Sequence, residues 1–324
     1  MPDKFVKWPS ITQAHNLRRI EEFTTTFPAL VSEMYIITEK LHGSNLQLYF
    51  EPDLPMRVGS RRRFLDTNQK FYDVWGTLAL PRYQKLTNAL QAHSDRTGQT
   101  LRVFGEYFGK GVQREIHYRD DGHHNIRIFG HMANDILQPA YETGVLILSH
   151  CNLSLTYMVP LLGFAPNLQS ALETNVAVPS HLRAPDAPAD EVMEGIVIRP
   201  WHKVYQIPGG PTFMIKKKNP AFLEVKPRKA KKHRVIDEDV AALNDLFQTY
   251  ITEARMHNIF SQVGPIERMD QLGEYIKLVL LDAKEPFIYA HTTTYEALDA
   301  AQKRSVLNVG SLIANMLKDY LGGK

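Results

Sequence analysis

The chain has 324 residues, of which 44% are hydrophobic and 23% are charged. This composition excludes a disordered protein and indicates one large globular domain or two ordinary ones. The formal net charge of +3 and the pI of about 8.7 are too weakly basic to establish a nucleic-acid partner. A single cysteine, Cys151, excludes an internal disulfide and a multi-cysteine zinc site, and its apolar neighbours predict a buried, inert thiol.

No segment predicts secretion or membrane insertion. The first ten residues, MPDKFVKWPS, lack the apolar core of a signal peptide. The most apolar stretch, Gly144–Phe164, is interrupted by polar residues and by Pro160, which makes it a poor membrane span. We therefore expect a monomeric protein of the cytoplasm, or of the host cytoplasm if the source is viral, with no membrane partner.

Short strand-like segments dominate the first two-thirds of the chain. Alternating apolar and polar residues predict strands on both sides of the sequence EKLHG within Met34–Phe50. The same signal recurs in Met56–Leu65, Thr100–Gly109, Ile126–Met132, Val192–Pro200 and Pro211–Lys218. Helical spacing appears in Arg82–His93, and Val178–Glu191 reads as a proline-punctuated loop. Strands mixed with a few helices predict an α+β fold class.

The character of the sequence changes after residue 225. Lys226–Arg234 holds six Lys or Arg residues in nine positions, and this run predicts either a solvated linker or a contact to a nucleic-acid backbone. Apolar residues then recur at helical spacing, in sets that begin at Ile236, at Ile266 and at Val306. We therefore predict one domain over residues 1–234, ending in the basic linker, and a small all-helical domain over residues 235–324.

The sequence EKLHGSN places Lys40, His42 and Gly43 where a buried strand would favour β-branched residues. A lysine becomes a nucleophile only as the neutral amine, and its ordinary pKa is about 10.4, so nearby cations or desolvation must favour that form. Gly43 would allow a turn and the close approach of a ligand. On this motif alone, a surface lysine at the end of a strand is an equally good interpretation.

Three further segments favour the chemical interpretation. Glu106 lies in RVFGEYFG, Glu194 lies in VMEGIVIRP, and the period of a strand places Lys216 and Lys218 of MIKKKNP on one face. Each feature is ordinary alone. Together they supply a nucleophilic amine, carboxylates for a ribose or a metal, and paired cations for a phosphate, which are the requirements of nucleotidyl transfer.

The order Lys-x-x-Gly, Gly-Glu, Glu-Gly, Lys-x-Lys resembles the covalent nucleotidyltransferases, a superfamily of polynucleotide ligases and mRNA capping enzymes. Most members carry Asp where this chain has His42. That variation, with FGEYFGKGVQ, EGIVIRP and IKKKNPAF, resembles the phage-type RNA ligase 2 family, which includes the trypanosome RNA-editing ligases. The resemblance runs from about residue 35 to residue 225. It implies a nucleotidyltransferase domain of antiparallel sheets with flanking helices, followed by a helical domain.

The resemblance implies a role for each residue of the first motif. Lys40 would take AMP from ATP as a lysyl phosphoramidate, and Glu39 and Asn45 would line the nucleotide pocket. His42 would help to transfer AMP to the 5′-phosphate of an RNA.

It also implies roles for residues of the later motifs. Arg61 would lie near the phosphate and ribose, although Arg62 is an alternative for this role, and Glu106 would bind the ribose. Phe129 would stack on adenine. Glu194 would hold Mg²⁺ or Mn²⁺ through water, and Lys216 and Lys218 would bind the α-phosphate.

One position departs from the family. Members often carry an acid after the stacking aromatic residue, where this chain has Gly130 and His131. A separate group, His117, His123 and His124, lacks the partners of a zinc site, and solvated histidines are the expected interpretation.

The function implied is an ATP-dependent RNA ligase that seals 3′-hydroxyl/5′-phosphate breaks, in particular nicks in duplex RNA. A DNA ligase or a capping nucleotidyltransferase is the alternative, although both normally carry a C-terminal β-barrel. A nucleic-acid-binding module without catalysis is a second alternative.

Overall fold

The structure is a computed structural model, and it describes residues 5–68, 70–109, 111–113, 115–119, 123–222 and 236–322. The chain divides into two compact units. The first comprises Met1–Ala221 with Ser261–Val263, and the second comprises Phe222–Phe260 with Gly264–Lys324. The predicted boundary at residue 234 and the basic run Lys226–Arg234 lie outside the described residues.

Within the described residues, the first unit contains ten strands and five α-helices. The strands are β1 (Thr12–Gln13), β2 (Tyr35–Lys40), β3 (Ser44–Phe50), β4 (Arg57–Gly59), β5 (Leu101–Phe108), β6 (Asn125–Ala133), β7 (Ile136–Leu137), β8 (Leu161–Ala165), β9 (Gly195–Pro200) and β10 (Ile215–Lys218). The helices are α1 (Leu17–Thr26), α2 (Val74–Leu78), α3 (Pro81–Thr97), α4 (Ala140–Val145) and α5 (Leu168–Glu173). The expected α+β class is confirmed.

The strands form two five-stranded sheets. The first has the order β1-β10-β9-β2-β8, and its pairs are antiparallel except for the parallel pair of β1 and β10. The second has the order β4-β3-β5-β6-β7 and is antiparallel throughout. The predicted strands on either side of EKLHG therefore belong to different sheets. The motif itself is the connection between them, which is why a β-branched run is absent there.

Each sheet covers its own apolar core. Residues of α1 and α5 pack with alternate residues of β2 and β9, and the cluster includes Phe23, Leu168, Ile196 and Ile198. Helix α3 covers the second sheet through Tyr83, Leu86 and Leu90. Burial of these apolar faces holds both sheets in place, because the hydrophobic effect scales with the apolar area removed from water.

Six described α-helices belong to the second unit, except that the last three residues of α7 are assigned to the first. They are α6 (Ile236–Gln248), α7 (Glu253–Val263), α8 (Leu272–Ala290), α9 (Thr292–Glu296), α10 (Ala300–Val306) and α11 (Gly310–Gly322). Thr252 caps α7 by accepting a hydrogen bond from the Arg255 amide, and Phe247 packs on Phe287 at 4.8 Å between ring centroids. The spacing of the apolar residues predicted longer helices than the structure has. Ile251 and Val309 are buried between helices, so the periodicity continues across turns that end each helix.

Among the described residues, no helix combines the length and the apolar character that crossing a membrane requires.

Candidate active site

Three strand ends bring the candidate catalytic groups together. Lys40 ends β2 and Lys218 ends β10, and both pair in register with Gly195, the first residue of β9. Glu194 immediately precedes that glycine. Its Oε2 lies 2.6 Å from Lys40 Nζ, and its Oε1 lies 3.2 Å from Lys218 Nζ. Residues separated by more than 150 positions in sequence therefore share one carboxylate.

The environment of Glu194 keeps its carboxylate ionised. Burial alone would raise its pKa, but Lys40, Lys218 and His42 outweigh burial and hold the pKa well below its usual range. The Glu194 side chain is 3% exposed, whereas the Lys40 side chain is 22% exposed. The amine is thus fixed by an ion pair and still accessible to a reactant.

His42 lies between two carboxylates in the connection from β2 to β3. Its Nδ1 is 3.4 Å from Glu194 Oε2, and its Nε2 is 2.8 Å from Glu115 Oε2. Burial lowers the pKa of His42, but the two carboxylates more than compensate and raise it to about 9. The ring is therefore an imidazolium at neutral pH.

Gly43 is in close contact with β5. A Cβ added at Gly43 would lie 2.4 Å from the Tyr107 carbonyl oxygen and 2.9 Å from Phe108 Cβ. The close approach of β5 to the motif therefore requires a glycine here.

Glu106 and Asn45 are directly opposite each other in the pairing of β3 with β5. Burial raises the pKa of Glu106 to about 7, and Lys40 and His42 oppose this change. Burial also lowers the pKa of Arg61, whereas Glu106 raises it and Arg62 lowers it. Arg61 therefore lies within the electrostatic field of Glu106, and the choice between Arg61 and Arg62 for the predicted role stays a prediction.

Glu39 is 1% exposed and is held by the loop at residues 178–191. The His181 amide donates to its Oε2 at 2.9 Å. Within the described part of the chain, Oε1 is buried without a hydrogen-bond partner. Burial raises the pKa of Glu39, and hydrogen bonds from Ser180 and His181 oppose this change only in part.

Phe129 lies at a bulge of β6, between residues that pair with Phe104 and Gly105. Its half-buried ring packs edge-to-face on Trp8, with 5.1 Å between centroids. A Cβ at Gly130 would lie 2.2 Å from Trp8 Cη2, so Trp8 explains why no acid follows the aromatic residue in this chain. Stacking of Phe129 on adenine stays a prediction.

The three lysines of β10 alternate between the faces of the sheet. Lys217 Nζ donates to the carbonyl oxygens of Leu172 and Thr174 at 2.7 and 2.8 Å, on the face opposite to Glu194. The strand period therefore places half-buried Lys216 on the face of Lys218.

Sequence reasoning did not identify Glu115, Tyr118 or His181, because nothing local marks them. Of the flagged histidines, His117 binds Glu191, with 2.5 Å between Nδ1 and Oε2. No group of three His, Cys, Asp or Glu side chains suited to a metal ion occurs among the described residues. Cys151 is half-buried and not fully buried as predicted, and burial raises the pKa of its thiol to about 11.

The family model of RNA ligases matches residues 33–218, which is more than half of the chain. The chain therefore belongs to the RNA ligase family, as the order of its motifs predicted.

Solved structures of Naegleria gruberi RNA ligase are also similar to this chain. A mutant with AMP and Mn has a TM-score of 0.49 at 21% identity, covering 69% of this chain and 59% of that one. A mutant with ATP and Mn has a TM-score of 0.48 at 20% identity, covering 68% and 58%. The complex with PPi has a TM-score of 0.47 at 20% identity, covering 69% and 58%. The chain thus spans less than two thirds of the length of these neighbours.

Proposed function

We propose that the protein is an ATP-dependent RNA ligase that seals nicks in duplex RNA through a lysyl-AMP intermediate. The observation that carries the proposal is the contact of one buried carboxylate, Glu194, with both Lys40 and Lys218. A nucleophilic amine and a phosphate-binding cation are thereby held a few ångströms apart. Membership of the RNA ligase family supports RNA as the substrate.

In the first step, Lys40 Nζ attacks the α-phosphorus of ATP. Only the neutral amine is a nucleophile, so the ammonium paired with Glu194 first releases one proton to water. The P–N bond then forms, the P–O bond to pyrophosphate breaks, and Nζ releases a second proton to water. Lys216 and Lys218 would stabilise the negative charge on the α-phosphate, because fixed cations favour the charge that develops at phosphorus. Lys40 is held in place by Glu194 before the reaction, which reduces the entropy cost of attack.

Two acidic residues would bind the nucleoside. Glu106 would accept hydrogen bonds from the ribose hydroxyls, with Arg61 beside it. Glu39 Oε1, which is buried without a donor, would accept from the exocyclic amine of adenine. Guanine has a carbonyl oxygen at that position, so the same oxygen would disfavour GTP.

The carboxylate set fits a hydrated divalent cation better than a metal enclosed by protein. Mg²⁺ commonly binds through one or two carboxylates, waters and substrate phosphates. Glu194, an ionised carboxylate at the lysine cluster, would hold Mg²⁺ or Mn²⁺ through water. The metal would neutralise phosphate charge when bound.

The later steps return Lys40 to its free form. AMP passes from Lys40 to the 5′-phosphate of the nick, which forms a P–O–P bond and breaks the P–N bond. The adjacent 3′-hydroxyl then attacks the 5′-phosphorus and AMP leaves. His42 would assist the first of these transfers as a cation beside the reacting phosphates.

The test uses ATP labelled at the α-phosphate, with Mg²⁺. We expect the label to become attached to the wild-type protein and mass spectrometry to locate it on Lys40. Lys40→Ala should lose the label. Lys217→Ala is the matched control and should retain it, because Lys217 lies on the opposite face. Retention of the label by Lys40→Ala would contradict the mechanism.

Substrate comparison separates the alternatives. We expect sealing of nicked duplex RNA to be faster than sealing of nicked DNA or single-stranded RNA. Preference for nicked DNA would indicate a DNA ligase, and labelling by GTP instead of ATP would indicate a capping enzyme. Nucleic-acid binding without any labelled adduct would indicate a binding module.

A further inference from the structure

We propose that Glu115 is a positioning residue that orients His42 for the transfer of AMP from Lys40 to RNA. The inference rests on the proposed function and deepens it, because it assigns a residue that none of the motifs contains. Glu115 belongs to the segment Glu115–Arg119, which the sequence analysis left without a role.

The first support is the geometry of the imidazole. Glu115 Oε2 lies 2.8 Å from His42 Nε2, and Glu194 Oε2 lies 3.4 Å from His42 Nδ1. Both ring nitrogens therefore face carboxylates. A single partner would leave the ring free to turn about its bonds, whereas partners on both nitrogens fix its plane and direction.

The second support is that the same segment also holds the backbone of His42. The His42 amide donates to the Tyr118 hydroxyl at 2.6 Å. The Tyr118 ring is buried and packs on Phe108, with 4.8 Å between centroids. Glu115 and Tyr118 thus constrain both the ring and the main chain of one residue.

The third support is that the segment is itself fixed. The Ala184 amide donates to the His117 carbonyl at 2.7 Å, and the Arg119 amide donates to the Leu182 carbonyl at 2.8 Å. Glu191 accepts from the His117 amide at 3.0 Å. The proline-punctuated loop at residues 178–191, which also binds Glu39, is therefore the support on which the segment rests.

These contacts give Glu115 a specific place in the reaction. Lys40 forms its contacts to Glu194 and the strands without Glu115, so attack on ATP does not depend on it. His42 reaches the reacting phosphates only if its ring keeps one direction. Loss of Glu115 should therefore slow AMP transfer to RNA and leave formation of the lysyl adduct unchanged.

The experiment separates the two steps. The adduct is formed with labelled ATP, purified, and mixed with nicked duplex RNA that carries a 5′-phosphate and a 3′-deoxy end, so that RNA-adenylate accumulates. We expect Glu115→Ala to slow this transfer on the order of tenfold to hundredfold, which is the size of effect seen when the carboxylate that orients a metal-binding histidine is removed. Its rate of adduct formation should stay within about twofold of wild type. The transfer rate of Glu115→Gln should recover in part, since an amide oxygen still accepts from the ring.

Two comparisons distinguish positioning from a general loss of structure. Glu142→Ala, at an exposed glutamate of α4, should match wild type in both steps. In a His42→Ala background, Glu115→Ala should cause no further loss, because the two residues act as a unit. Equal transfer by Glu115→Ala and wild type, or additive losses in the double variant, would overturn the inference. Absence of a wild-type adduct would instead overturn the proposed function beneath it.

Discussion

The two carboxylates beside His42 predict a pH-dependent stability of the first unit. They raise the pKa of His42 to about 9 from an ordinary value of 6.5. A group whose pKa is raised by folding stabilises the folded state while it is protonated. The contribution is therefore fully present below pH 6.5 and is lost as the pH rises through about 9.

The magnitude follows from the two pKa values. Each pKa unit corresponds to about 1.4 kcal/mol, so the charged ring contributes about 3 kcal/mol to the free energy of unfolding. His42 is 16% exposed, so solvent screens the interaction only in part. We expect the free energy of unfolding of the wild type to fall between pH 6.5 and 9.5 by about 3 kcal/mol more than that of His42→Gln.

Urea unfolding followed by tryptophan fluorescence is the suitable assay. All three tryptophans, Trp8, Trp75 and Trp201, lie in the first unit, so the signal reports the unit that contains His42. Glu106 titrates in a lower window, near pH 7, and remains in both proteins. Parallel pH profiles for wild type and His42→Gln would refute the electrostatic account.

Three further outcomes are expected. Lys218→Ala should slow adduct formation at least about tenfold in a single-turnover assay, because one fixed charge at a reacting phosphate is lost. In the same assay Lys217→Ala should leave the rate unchanged, although it should lower the stability of the protein. Gly43→Ala should lower the free energy of unfolding by about 1–3 kcal/mol in urea titrations, because its Cβ would overlap the Tyr107 carbonyl; a neutral effect would show that the contact relaxes at no cost. Glu106→Gln should flatten the rise in adduct formation between pH 6 and 8 at limiting ATP, because only an ionised Glu106 is a strong acceptor for the ribose hydroxyls.

The site residues that could be predicted from the sequence are those marked by their immediate neighbours in the chain. Lys40, Glu194 and Lys218 lie beside glycines or at the ends of apolar strands, and those strand ends meet because their pairing is in register. Three of the strands at sheet edges, β1, β7 and β8, were not predicted from the sequence. Strand β8 contains Gly163 and exposed Leu161, so it lacks the alternation of a half-buried strand.

The contact between Glu115 and His42 could not be predicted from the sequence. Glu115 is 73 residues from His42 in the chain, and no spacing rule joins an exposed glutamate to a turn that distant. Trp8 likewise packs on Gly130 across more than a hundred positions, although a tryptophan close to the start of a chain carries no signal of such a partner.

The alternation of the three lysines in β10 limits how this part of the chain can vary in length. One added or deleted residue just before Ile215 would shift the register of β10 by one residue, which turns every side chain of the strand to the opposite face of the sheet. Lys217 would then turn towards Glu194, while Lys216 and Lys218 would turn towards the carbonyl oxygens behind the sheet. Single amino-acid replacements here affect one contact at a time, but an insertion or deletion would exchange both sets of contacts at once.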